Sequence, residues 1–157
     1  MSDLLSPSRL LEIMESNRRL TLRTIEAFPE DALFRYKPAD TLRPFAEMVK
    51  EILHLELAYV RGVATGEWVH EQPYQVVQSK EELLRACGAV REYTRAKWHK
   101  VTAERLMAVE PDPFFGGGEG SLFDRLFYAV ENEIHHRGQG FIYLRMLAIE
   151  PPFFWER

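Results

Sequence analysis

The sequence predicts an all-α fold built as a bundle of four main helices. Three observations carry that expectation. Apolar residues recur at three- and four-residue steps through four long segments. Capping residues stand at the heads of those segments. No run alternates apolar and polar residues as a half-buried strand would. A chain of 157 residues is one ordinary domain's worth, expected to span 1–157, and should bury roughly 70% of the surface it exposes when unfolded.

The first helix is expected over residues 7–28. Ser6 can cap it, and Pro7 is tolerated at its first position. Leu11, Met14, Leu22, Ile25 and Phe28 form its apolar stripe, and Pro29 ends it. Residues 30–34 have room for one more short turn. Residues 35–42, with Pro38 and Asp40, read as a connection. The second helix begins at Thr41 or Leu42 with Pro44 in its first turn. Phe45, Met48, Val49, Ile52, Leu55, Tyr59 and Val63 mark its buried face. Gly62 and Gly66 weaken its end, and residues 66–78 form a loop carrying Trp68, His70, Pro73 and Tyr74.

A capping box, Ser79 with Glu82, opens the third helix. Leu83, Cys87, Val90, Thr94, Trp98 and Val101 lie on its inner face. Arg91, Arg95, Lys97 and Lys100 gather toward its C-terminal end, where cations suit the helix dipole. Residues 102–120 are irregular, because Pro111, Pro113 and the glycines at 116–118 forbid a continuous helix; Phe114 and Phe115 are expected to fold back over the core. The fourth helix starts at Ser121, with Asp124 completing a weak capping box. It runs to about Ala148, ahead of Pro151 and Pro152. Gly138 and Gly140 interrupt it, either to let another helix pack closely or to leave space beside His136.

Composition excludes several function classes. With 20 Lys and Arg against 24 Asp and Glu, the net charge is −4. A mildly acidic chain without a basic block is not expected to bind nucleic acid, since phosphate neutralisation dominates that affinity. The single cysteine, Cys87, excludes an internal disulfide framework and a cysteine zinc cluster. No window approaches the ~18 apolar residues of a membrane span, and residues 1–5 show no basic leader. A cytoplasmic location is expected.

The densest polar cluster is the run 131–139 of the fourth helix. Asn132, His136, Gln139 and Tyr143 fall in one file, with Glu131 and His135 in the next. Such a file is ordinarily a solvated face, and the helix's widely spread apolar residues leave open which way it points. A second polar intrusion, Glu51 and His54, sits beside the apolar stripe of the second helix. Bundle proteins build metal sites from inward carboxylates and imidazoles on facing helices. One ligand from the second helix and an i, i+4 pair from the fourth would leave open positions on the ion. Cys87 on an apolar face reads as a small hydrophobe. Trp68, Tyr74, Phe114, Phe115 and Trp155 could line a pocket or clamp the core's ends. Arg137 and Arg145 could pair with acids of the second helix or bind an anionic substrate.

The run ENEIHHRGQGFIYLRMLAIEPP, together with RPFAEMVKEILHLELAYVRG, resembles the signature of the DinB/YfiT-like superfamily. That name is unrelated to the similarly named polymerase. The resemblance covers essentially the whole chain. It implies a four-helix bundle with long crossover connections, a homodimer and a divalent metal, zinc or nickel, held by three histidines. Relatives of known reaction include thiol-dependent transferases and a maleylpyruvate isomerase that uses a low-molecular-weight thiol.

This chain departs from that pattern. The family's paired histidines of the fourth helix align with Asn132 and His136, and the helix-two histidine aligns with Glu51. Glu51, Asn132 and His136 then stand at the ligand positions. His54 and His135 are alternative ligands, and Glu133 or His54 is the candidate general base. Glu and His suit zinc or nickel first and also manganese or iron, while Asn, a weak neutral donor, should weaken binding and move the preference toward harder ions. Two functions follow. One is a metal-dependent small-molecule enzyme, a thiol transferase or hydrolase, whose ion activates a water or thiol. The other is a metal-free, non-catalytic dimer acting as a binding or stress-response module. The enzyme should show a pocket ending at Glu51 and His136; the dimer should expose an apolar helix face.

Overall fold

The computed structural model describes residues 6–115 and 118–157. The leader reading of residues 1–5 and two of the three glycines at 116–118 lie outside the described residues. The helices begin where capping chemistry puts them. Helix α1 (Pro7–Ala27) has Ser6 accepting the Arg9 N–H, with Pro7 at its start. The short helix α2 (Glu30–Arg35) follows Pro29. Helix α3 (Phe45–Thr65) begins right after Pro44, and α4 (Lys80–Lys97) is capped by Ser79. A 3₁₀ turn, Trp98–Lys100, closes α4. Helix α6 (Leu122–Met146) has a reciprocal capping box between Ser121 and Asp124.

The four long helices are α1, α3, α4 and α6. Helix α3 packs chiefly on α6 and α4, and α1 packs on α6. Helix α2 sits in the first connection. The second long connection, expected to be irregular, holds helix α5 (Ala103–Met107) and a ribbon of two three-residue strands. Strand β1 (Val109–Pro111) pairs antiparallel with β2 (Glu119–Ser121), Glu110 facing Gly120. The fold remains all-α in class. Among the described residues no helix is long and apolar enough to cross a membrane.

Two apolar clusters fill the bundle, one toward each end. Phe28, Phe45, Leu53, Leu83, Val90 and Leu144 belong to the first. Leu10, Met14, Tyr59, Trp98 and Leu126 belong to the second. Along α1, α4 and α6, the buried stretch between them is polar. Asn17, Arg18, Thr21 and Thr24 on α1 meet Arg91 and Thr94 on α4, and Glu133 and Arg137 on α6. Glu56 completes this belt from α3: it accepts from Arg18 at 2.7 Å, Arg91 at 3.0 Å and Thr94 at 2.6 Å.

The belt explains where the expected stripes fail. On α1 the buried residue is Leu10 rather than Leu11, and Leu22 is only partly covered, because half the inner face is polar. Gly62 does not end α3. A Cβ there would lie 2.0 Å from the Trp68 ring, so the glycine seats that indole while the helix runs on to Thr65. Helix α6 ends at Met146, earlier than expected, and the chain turns out through Ala148 with φ of 59°.

Candidate functional site

The polar file of α6 faces inward. Asn132, His136 and Tyr143 are 7%, 6% and 3% exposed. Most of these polar groups find a partner: Glu51 on α3 for His136 and Asn132, and the Arg43 carbonyl for Tyr143. His136 Nε2 lies 2.9 Å from Glu51 Oε1 on α3. Asn132 Nδ2 donates to the same oxygen at 3.1 Å. The amide orientation follows from chemistry, because a carboxylate only accepts and so must meet the NH₂ side. The Asn132 Oδ1 is left buried and without a hydrogen-bond partner among the described residues.

Two more contacts finish the cluster. His136 Nδ1 is 3.1 Å from Gln139 Oε1, so both ring nitrogens are engaged inside the protein. The other Glu51 oxygen is held by the guanidinium of Arg43, whose Nη2 also stands 3.4 Å from His136 Nε2. Arg43 reaches in from the connection before α3, where the Tyr143 hydroxyl donates to its carbonyl at 3.1 Å. Burial, the largest single influence on Glu51, pushes its carboxyl up. The hydrogen bonds from His136, Arg43 and Asn132 together outweigh it and hold the group at about 2, against an ordinary 4.5. Glu51 stays ionised at neutral pH.

A cleft of about 440 Å³ opens beside Glu51, walled by Arg43, Glu47, His54, His70 and Phe115. It ends at Glu51; His136 lies behind that carboxylate rather than on the wall. Phe115, 58% exposed, also borders a second cleft of about 440 Å³ with Tyr59, Asp112 and Tyr128. It therefore stands between two recesses and does not cover the core. Phe114 does pack back, edge-on against Tyr59 and Trp68.

The structure thus brings Glu51, Asn132 and His136 together, and separates the remaining expected residues from them. His54 is 2% exposed, and its Nε2 accepts the Tyr74 N–H at 3.2 Å while the two rings stack. Burial, with repulsion from His70 and Lys50, holds His54 at about 4 against the usual 6.5, so it is neutral at pH 7. That nitrogen is spent on the Tyr74 loop and is free neither to ligate nor to act as a base. Glu133 is turned to α1, where Arg18 binds both its oxygens at 2.9 and 3.2 Å. Burial pushes its carboxyl up, but Arg18 outweighs this and holds it below the usual range. As an ionised, sealed partner of a guanidinium it is not placed to take a substrate proton.

His135 is exposed; it meets Gln139 at 3.4 Å, and its ring lies tilted beside that of His136. Arg137 pairs with no acid of α3; it donates to the Asn17 carbonyl, Asn17 Oδ1 and Thr21 on α1. Arg145 and Trp155 lie at the surface. Cys87 is buried, and burial pushes its thiol up to about 11, which suits a packing role. Sequence reasoning missed Arg43. The signal was available: a carboxylate near the apolar stripe needs a balancing cation, and Arg43 stands eight residues upstream, just before the helix.

The donor set does not fit the three-histidine centre that the resemblance implies. Among the described residues, no three His, Cys, Asp or Glu side chains gather to hold a metal ion. Only Glu51 and His136 are strong donors here, and each is bound to the other. The third position is an amide whose NH₂ is turned to Glu51 and whose unpartnered Oδ1 is a weak neutral donor, unlike a histidine nitrogen.

The DinB family profile matches residues 1–156, so the chain belongs to that family. The chain is similar to protein YjoA of Bacillus subtilis, 31% identical over 147 residues, which cover 90% of this chain and 92% of that one. Its fold matches the crystal structure of YjoA, described as a DinB-like protein, with a TM-score of 0.74 and 29% identity, covering 95% of this chain and 99% of that one. A DinB-like protein from Bacillus cereus matches with a TM-score of 0.75 at 16% identity, covering 94% of this chain and 97% of that one, and speaks for the fold alone.

Proposed function

We propose that this member of the DinB family is a metal-free, dimeric binding module whose cleft beside Glu51 takes a small polar molecule. One observation carries the reading: the two strong donors at the family's ligand positions, Glu51 and His136, are bound to each other, and among the described residues no third joins them. With both nitrogens of His136 occupied and Glu51 held ionised between three donors, the cluster offers no open ligand position and no free base. The cleft wall supplies donors and acceptors from Glu47, Gln72 and Gln75, and Phe115 adds a phenyl face. Helix α6 also leaves Ile134, Ile142 and Met146 exposed at 41%, 57% and 58%. These recur at four- and eight-residue steps along one face, which supports pairing with a second copy.

Elemental mass spectrometry on tag-free protein purified without chelator tests the reading, beside Glu51→Ala and His136→Ala. All three proteins should carry no stoichiometric metal after incubation with zinc, nickel, manganese or iron. One ion per chain in the wild type, lost in both variants, would overturn the reading. It would restore an enzyme that activates water or a low-molecular-weight thiol.

A further inference from the structure

The Glu51 cluster already contains a cation. The Arg43 guanidinium touches the Glu51 carboxylate and lies 3.4 Å from His136 Nε2. A single positive nitrogen thus stands in contact with both strong donors of the site, which is the place from which an ion would contact them. We infer that Arg43 is a resident cation that takes the metal's charge-balancing place and, with Asn132, keeps divalent ions out. This inference rests on the metal-free reading proposed above.

Three features support it. The first is the anchoring of Arg43. Its carbonyl is fixed by the Tyr143 hydroxyl, and the chain then enters α3 through Pro44 and the fully buried Phe45. Phe45 lies against α6 at Gly140, where a Cβ would come within 2.6 Å of its ring. The backbone that delivers the guanidinium is therefore set by the core, and the close approach at Gly140 brings it to α6.

The second feature is Asn132. Its NH₂ is turned to the carboxylate, as it would be around an ionised Glu51 with a guanidinium on the far oxygen. An ion at the same oxygens would require the amide to turn and would gain from it only a weak neutral oxygen. The third feature is electrostatic. A divalent ion entering beside Arg43 would place like charges within a few ångströms in a half-buried site, where their repulsion is only partly screened. Metal entry therefore requires Arg43 to leave. Its side chain is 46% exposed, so that departure leaves the core intact.

Calorimetric titration with zinc and with nickel tests the inference on the wild type, Arg43→Gln, Asn132→His, the double variant Arg43→Gln/Asn132→His, and Arg43→Lys/Asn132→His. The wild type should bind no stoichiometric ion. The Arg43→Gln/Asn132→His variant should bind one ion per chain, about 10–100-fold more tightly than Asn132→His alone. Arg43→Lys/Asn132→His should stay as weak as Asn132→His, because lysine keeps the charge. Equal binding by Asn132→His and both double variants would overturn the role of Arg43 while leaving the metal-free reading in place. Stoichiometric binding by the wild type would overturn both. A melting curve for each variant identifies any that fails to fold; should a double variant fail, Arg43→Ala/Asn132→His against Asn132→His reads the same gain.

Discussion

Two guanidinium–carboxylate clusters each draw one residue from α3 and one from α6, Glu56 with Glu133 and Glu51 with His136, and they differ in what surrounds them. Glu56 and Glu133 meet Arg18 and Arg91 in the middle of the bundle, with every one of these side chains 5% exposed or less. Glu51 and His136 meet Arg43 at a cleft, with Glu51 at 34% and Arg43 at 46%. Adjacent residues make the division. Asn132 and Glu133 point about 100° apart on α6, one to Glu51 on α3 and the other to Arg18 on α1. The sealed cluster cannot exchange partners without unfolding, so its charges serve the fold. The open cluster can release Arg43 to solvent, so it can respond to a ligand. Burial, rather than residue type, separates the sealed ion pairs from the solvent-accessible one.

Breaking the sealed cluster should have the largest effect. Glu56→Ala leaves Arg18, Arg91 and Thr94 without their shared acceptor, and Arg18 Nη1 and two Arg91 nitrogens already lack partners. The expected loss is about 3–5 kcal/mol in urea denaturation. A loss under about 1 kcal/mol, the surface range, would mean the belt is wetter than its burial indicates.

The two glycines of α6 sharpen the same contrast at smaller magnitude. A Cβ at Gly140 would strike the Phe45 ring, whereas Gly138 has open space around it. Gly140→Ala should destabilise by about 1–3 kcal/mol through overpacking. Gly138→Ala should stabilise by up to about 1 kcal/mol through helix propensity. Thermal melts of both should move in opposite directions. A parallel shift would place Gly138 against a partner copy.

The cleft wall should show itself in acid. His54 is held neutral in the fold, with its pKa at about 4 against 6.5. The unfolded chain therefore binds its proton first, and stability is lost as pH falls from 6.5 toward about 4. His54→Gln should flatten the melting temperature across that window. An unchanged slope would show that His54 already charges in the folded state.

Glu51→Gln should be the mildest of these changes. At pH 7 the cost is expected below about 1 kcal/mol, since the pair is half open to solvent. Its carboxyl is depressed, so the stabilisation is present above 4.5 and fades as pH falls toward about 2. The variant should lose less stability than the wild type between those values. A cost comparable to Glu56→Ala would erase the distinction between the clusters.

Much of the architecture was legible along the chain. Ser6, Ser79 and Ser121 marked three helix starts, because a side-chain oxygen beside orphan N–H groups is a local signal. The ribbon at 109–111 and 119–121 was not legible, since strands of three residues offer too few positions to show alternation. The inner face of α1 misled for another reason. Arg18 reads as a surface residue until Glu133, far along the chain, is seen to hold it. The site was half legible: Glu51, Asn132 and His136 came from a register, while Arg43 lay in a connection without periodicity.

By itself the sequence determined the all-α class, the four main helices and most of their boundaries. These depend on spacing and capping, which act within a few residues. Only the tertiary structure decided which way the polar file of α6 faces, that Glu133 belongs to Arg18, and that Arg43 stands between Glu51 and His136. Those outcomes depend on which charges burial leaves to find one another across the bundle. A buried charge takes whatever partner the packing presents, and no local pattern encodes a partner on another helix.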